Sequence, residues 1–143
     1  MGRRREAREL ALKALFQVDL ALADPLEALS GAFAEGKYEE DTRAFARQLV
    51  LGTMQQREHI DAVIAKHARE WTLDRMANID RNVLRLAVYE ILYLPDVPPG
   101  VSVDEAVEMV KKYSTAESGR FVNGILGSLV RNLDEEMTGT DVS

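Results

Sequence analysis

The chain has 143 residues, 46% of them hydrophobic and 29% charged, which is enough for one packed domain and too apolar for general disorder. It contains no cysteine, which excludes disulfides, thiolate zinc sites and cysteine nucleophiles and fits a reducing cytoplasm. The net charge is −6, yet Arg3, Arg4, Arg5 and Arg8 crowd the first eight residues and leave 14 basic against 23 acidic residues, or −9, in the remainder.

In chain order the periodicity is helical. Ala7, Leu10, Ala11, Ala14, Leu15 and Val18 recur at steps of three and four and form one apolar stripe. Asp24-Pro25 reads as an N-cap followed by proline at the first helical position, opening a short helix with Leu26, Leu29 and Phe33 that Gly36 ends. A longer stretch from about Asp41 carries Phe45, Leu49, Val50, Ile60, Val63, Ile64 and His67, with a break between Gln55 and Glu58. Trp71 to Arg75 is a turn entering a short helical segment, with Thr72 as its cap.

From Asp80 the run Val83, Leu84, Leu86, Ala87, Val88, Ile91 and Leu92 is apolar on most sides, which belongs at the centre of a bundle. Pro95, Pro98, Pro99 and Gly100 end it. Ser102 and Glu105 then have capping-box spacing ahead of the stripe Val103, Ala106, Val107, Val110 and Tyr113. A last helix from about Glu117 buries Phe121, Val122, Ile125, Leu126, Leu129 and Leu133. Gly124 and Gly127 inside it cost about 1 kcal/mol each relative to alanine, which close helix approach would offset. The fold class is therefore all-α, about seven helices, with one domain over residues 1–134 and a polar tail over 135–143.

No catalytic constellation is present. His59 and His67 are two helical turns apart, and there is no HExxH pattern, so neither a catalytic nor a metal site is expected. Gly119, Gly124 and Gly127 lack the Lys-Ser or Lys-Thr and the preceding strand of a phosphate loop. Asp80 and Glu90, ten residues apart on one helix, cannot pair as acid and base, and most carboxylates read as a solvated face. No cofactor is expected. The segment after the arginines lacks a signal peptide's apolar core, and no apolar run approaches membrane-spanning length.

Two features point to RNA. Arginine forks suit phosphate oxygens, although a solvated terminus would look the same in sequence. Lys111-Lys112-Tyr113 through Gly119-Arg120-Phe121 interleaves basic and aromatic groups around a helix junction, the arrangement that stacks unpaired bases beside a phosphate backbone. Tyr113 and Phe121 also fit apolar stripes, so core packing is the competing reading of both.

The sequence resembles the NusB family of transcription antitermination and ribosomal RNA biogenesis factors from Arg3 to about Leu133. The likeness rests on Arg-Arg-Arg-Glu-Ala-Arg-Glu-Leu-Ala-Leu-Lys-Ala-Leu-Phe-Gln from Arg3 and on the run Val83 to Ile91. Val103-Asp104-Glu105-Ala106-Val107-Glu108 and Arg120-Phe121-Val122-Asn123-Gly124-Ile125-Leu126 complete it. The resemblance implies two packed helical bundles and a non-catalytic protein. It would bind single-stranded boxA-type RNA of ribosomal RNA leaders together with NusE, a small-subunit ribosomal protein, within the RNA polymerase antitermination complex. Carried over residue by residue, the RNA surface is Arg3, Arg4, Arg5, Arg8, Lys112, Tyr113, Glu117, Ser118, Arg120 and Phe121, with Phe16 and Asp80 on the NusE side. Glu6 interrupts the basic run, and Gly119 stands where the family often has a bulkier polar residue. A homodimer formed through the RNA surface is a further implication. The alternatives are a stand-alone NusB-like domain of an RNA cytosine methyltransferase and a protein–protein scaffold.

Overall fold

The structure, a computed structural model, describes residues 2–136. Among them are seven α-helices and one short 3₁₀ turn, with no strand: α1 (Gly2–Ala21), α2 (Pro25–Ala34), α3 (Glu40–Gln55), α4 (Arg57–His67), the turn Leu73–Arg75, α5 (Asn78–Tyr93), α6 (Pro99–Tyr113) and α7 (Ala116–Arg131). One group packs α1, α2 and α3 together, and the other packs α4, α6 and α7 around α5. α5 also lies against α1 and α3, so it joins the two groups.

Local chemistry sets most boundaries. Asp24 Oδ2 accepts a hydrogen bond from the Glu27 amide at 3.1 Å, and Pro25 starts α2 with a preset φ. The expected break after Gln55 is real: α3 stops there and α4 begins at Arg57. α1 ends at Ala21, and the next residue, Leu22, takes a φ of 55° while remaining 91% exposed. Thr115 caps α7 by accepting from the Ser118 amide at 2.9 Å.

The stripe Ala7, Leu10, Ala11, Ala14, Leu15 and Val18 is buried throughout, against the apolar faces of α3 and α5. Leu84, Leu86, Ile60, Ile64, Leu126 and Leu129 are among the most deeply buried side chains, each contributing roughly 1.5–3 kcal/mol relative to exposure.

Three expectations change. α6 begins at Pro99, so Ser102 is inside the helix rather than capping it, and its hydroxyl donates inward to Glu90 Oε1 at 3.0 Å. The helical glycine that permits close packing is Gly52, where a β-carbon would lie 2.1 Å from Tyr89 Cζ; Gly124 has open space at that point. Gly127 meets only an arginine side chain, so neither Gly124 nor Gly127 is required by a neighbouring helix, whereas a β-carbon at Gly119 would lie 3.2 Å from Lys111 Cγ of α6.

The central helix is also less apolar than its sequence suggests, because Asp80, Asn82, Arg85 and Glu90 are all buried within it. Asp19 of α1 accepts from Arg81 Nε at 2.7 Å, Asn82 Nδ2 at 3.0 Å and Arg85 Nη1 at 3.3 Å. Arg85 also forks onto both oxygens of Asp61 on α4, at 2.8 and 3.0 Å. Burial pushes the Asp19 carboxyl up, but these hydrogen bonds and the two arginine charges outweigh it and hold it below its ordinary 3.8. Arg81 Nη1 donates to the carbonyls of Leu73 and Met76, pinning the 3₁₀ turn to the start of α5.

The expected start of a polar tail at 135 does not match the packing of Glu136. This residue is buried, accepts from Lys66 Nζ at 2.9 Å and lies 3.1 Å from His67 Nε2. The rest of the expected tail, 137–143, lies outside the described residues.

Candidate nucleic-acid interface

The basic end of α1 has no acidic residue in its first turn, so arginine charge adds to the positive end of the helix dipole. Carboxylates from other helices balance it. Arg3 Nη1 donates to Asp41 Oδ2 of α3 at 2.8 Å. Arg5 forks onto Glu105 of α6, Nε to Oε1 at 3.0 Å and Nη2 to Oε2 at 2.7 Å. Arg4 instead lies over the Phe45 ring, 4.5 Å from its centroid. The three exposed guanidinium groups line an open groove of about 670 Å³ whose other walls include Val97, Pro98, Val101 and Glu105.

Arg8 is different, and its reading as an RNA contact needs correction. It is only 3% exposed, and it forks onto Glu90, itself 1% exposed, with both hydrogen bonds at 2.8 Å. Glu90 also accepts from Ser102, so the pair joins α1, α5 and α6 beneath the groove. A guanidinium committed this way holds the groove in shape and is not free for phosphate.

The second basic group lies on α6. Lys112 Nζ donates to Glu9 Oε2 at 2.9 Å and sits 5.2 Å from the Tyr113 ring centroid. Glu105 stays below the usual carboxylate range because Arg5 hydrogen-bonds to it, while Arg5 and Lys112 are shifted up, chiefly by their hydrogen bonds to Glu105 and Glu9. The two aromatic residues separate here. Tyr113 is 38% exposed and is not a core residue, whereas Phe121 is half-buried against the core.

Phe16 and Tyr113 face one shared groove of about 610 Å³, with Leu12, Ala28 and Ile79 among its walls. The two aromatics assigned to different partners therefore lie on one surface. The same holds at the junction before α7. Ser118 Oγ donates to Asp80 Oδ2 at 2.8 Å, so the residue expected to face RNA is bonded to the one expected to face NusE. Asp80 is buried, and its other oxygen, Oδ1, has no hydrogen-bond partner. Glu117 and Arg120 are exposed.

Asp80, Ser118, Glu117 and Phe121 line a cavity of about 230 Å³ together with Trp71 and Arg75. Sequence reasoning placed those last two only in a turn. The signal was there in Trp71, the chain's one tryptophan, set in a loop and left 49% exposed.

Both histidines are tied into hydrogen bonds between helices. His59 Nδ1 hydrogen-bonds with the Tyr93 hydroxyl, and His67 joins Ser128 and Glu136. Among the described residues no group of His, Asp and Glu is placed to hold a metal, and no helix is long and apolar enough to cross a membrane.

The NusB family matches residues 5–131. The chain belongs to the NusB family. It is 52% identical to the transcription antitermination protein NusB of Symbiobacterium thermophilum, over 91% of this chain and 90% of that protein. It is 51% identical to the protein of the same name from Desulforamulus reducens, over 94% of each. Solved structures of the family share the helical architecture. NusB of T. maritima aligns with a TM-score of 0.84 at 39% identity, covering 90% of each chain. A NusB chain crystallised with NusE and double-stranded RNA aligns with a TM-score of 0.85 at 33% identity, covering 92% of this chain and 98% of that one.

Proposed function

We propose that the chain is a non-catalytic transcription antitermination factor that binds boxA-type single-stranded RNA of ribosomal RNA leaders jointly with NusE, in the cytoplasm and as part of the RNA polymerase antitermination complex. The observation that carries the reading is the surface made by the tip of α1 and the α6–α7 junction. It sets Arg3, Arg4 and Arg5 around one groove, Lys112 and Tyr113 of α6 beside Glu9 of α1, and Phe121 at the cavity beyond. Family membership supports it, as does a family structure that holds NusE and RNA together. Curated relatives matched over at least nine-tenths of their length carry the antitermination name, which favours this reading over a methyltransferase domain.

Within this reading Arg3, Arg4, Arg5, Lys112 and Arg120 hold phosphates, Tyr113 and Phe121 stack bases, and Glu117 and Ser118 shape the junction. Phe16 and Asp80 lie toward NusE. Fluorescence anisotropy with boxA RNA, titrated with and without NusE, tests it. Binding to boxA should exceed binding to a scrambled RNA and tighten with NusE; equal affinity for both RNAs under both conditions sinks the proposal. Self-association through the RNA surface is part of the same reading, and light scattering should show any dimer dissociating as RNA is added.

A further inference from the structure

Exposed cations of the surface just described are already occupied in the free protein. Arg3, Arg5 and Lys112 each hydrogen-bond to a carboxylate from a different part of the chain: Asp41, Glu105 and Glu9. The Arg5–Glu105 contact has a geometry the other two lack. Two nitrogens of one guanidinium edge, Nε and Nη2, meet the two carboxylate oxygens, the same forked pattern that arginine uses on two oxygens of a phosphate.

The two partners are unequally fixed. The Arg5 side chain is 59% exposed and the Glu105 side chain 15%. Glu105 has a second cation at hand, since Arg8 Nη1 lies 3.9 Å from its Oε1. Arg8 is itself held in place by Glu90. Arg5 can therefore swing away without leaving Glu105 stranded, because the buried arginine behind it keeps a positive charge on the carboxylate.

We infer that Glu105 is a built-in stand-in for an RNA phosphate: it holds Arg5 in the free protein, gives it up to the incoming strand, and so restrains the protein's affinity for RNA of any sequence. Exchange of one anion for another on the same fork yields little net energy, and the displaced carboxylate stays close enough to repel the phosphate. An RNA must then gain its hold from base contacts or from the protein partner. Glu9 acts in the same sense on Lys112, through a single hydrogen bond. The inference rests on the RNA-binding reading above and adds to it a carboxylate that weakens binding by design of the site.

The test is Glu105→Gln in the full chain, which keeps the side chain's shape and removes its charge. Its RNA affinity is compared with wild type by anisotropy across salt, using boxA and scrambled RNA without NusE. The expected result is a gain of about threefold on both RNAs at low salt, the scale of one exposed ion pair. The dependence of log affinity on log salt should steepen by up to about 0.7, because in the wild type the Arg5–phosphate pair forms only at the expense of the Arg5–Glu105 pair. Unchanged or weaker binding by Glu105→Gln, with an unchanged circular dichroism spectrum, overturns the inference, because Glu105 would then only position Arg5. If that variant does not fold, Glu9→Gln, which removes the charge paired with Lys112, decides by the same criterion. Equal affinity of the wild type for boxA and scrambled RNA would count against the function proposed above and leave this inference standing.

Discussion

Arg5 and Arg8 lie three residues apart on α1, and each grips a glutamate through two hydrogen bonds of 2.7–3.0 Å. Arg5 does so at the rim of the groove, in contact with water; Arg8 does so beneath it, with almost no accessible surface. The chemistry is the same and the consequence opposite. A buried arginine that loses its carboxylate has no water to replace it, so the inner pair is fixed. The outer pair can exchange its carboxylate for another anion, because solvent stabilises each ion while it is alone. One helix thus carries a fixed arginine and an exchangeable one less than a turn apart.

The contrast can be broken most forcefully from inside. Glu90→Ala should destabilise the protein by about 3–5 kcal/mol, the cost of stranding a buried charge, read by urea or thermal unfolding. A loss below 1 kcal/mol would mean that Arg8 finds another partner. A smaller effect is expected at Asp19, where Asp19→Asn should cost about 2–3 kcal/mol by leaving Arg81 and Arg85 less well paired. Because the folded Asp19 carboxyl titrates below its unfolded value of 3.8, its stabilisation is present above that pH and is lost as pH falls through the folded value. The difference in melting temperature between wild type and Asp19→Asn should therefore shrink on acidification below about pH 4. A constant difference from pH 7 to pH 2.5 would contradict the assignment.

On the outer side the effects move from stability to binding. Arg4→Ala should leave unfolding nearly unchanged, weaken RNA binding and reduce the salt slope by about 0.7. A full slope in that variant would show that Arg4 touches no phosphate. Trp71 gives the smallest and most local signal. Its indole borders the cavity that holds Ser118 and Phe121, so saturating RNA should change its fluorescence, and Phe121→Ala should diminish that change. Identical emission with and without RNA would place the strand away from this cavity.

Much of the fold was readable because burial writes a period into the sequence. The α1 stripe, the Asp24-Pro25 start of α2 and the break after Gln55 all follow from local rules and all stand in the structure. Ser102 misled because a serine three residues before a glutamate satisfies the capping pattern, while Pro99 had already begun the helix one turn earlier. Arg8 misled for a related reason. Four arginines in eight residues look like one cluster, and only the partner 82 residues away shows that one of them points inward. Glu90 and Arg85 were invisible as buried groups because their neutralising partners lie on other helices, and Asp80 because its hydrogen-bond partner, Ser118, lies on α7. Tyr113 and Phe121 fit the same kind of stripe, and only their accessibility separates an exposed ring from a half-buried one.

Leu22 offers a different use of the structure. It occupies the position after α1 where the backbone turns through positive φ, a conformation in which an L-residue with a branched side chain is strained and which glycine or asparagine usually fills. Its side chain gains nothing in return within the chain, being 91% exposed. Leu22→Asn would remove an apolar group from water contact and relax the backbone together, for a gain of about 0.5 kcal/mol or slightly more. The turn is thus a handle for raising solubility and lowering self-association in concentrated samples, reached without altering any charge of the proposed RNA surface.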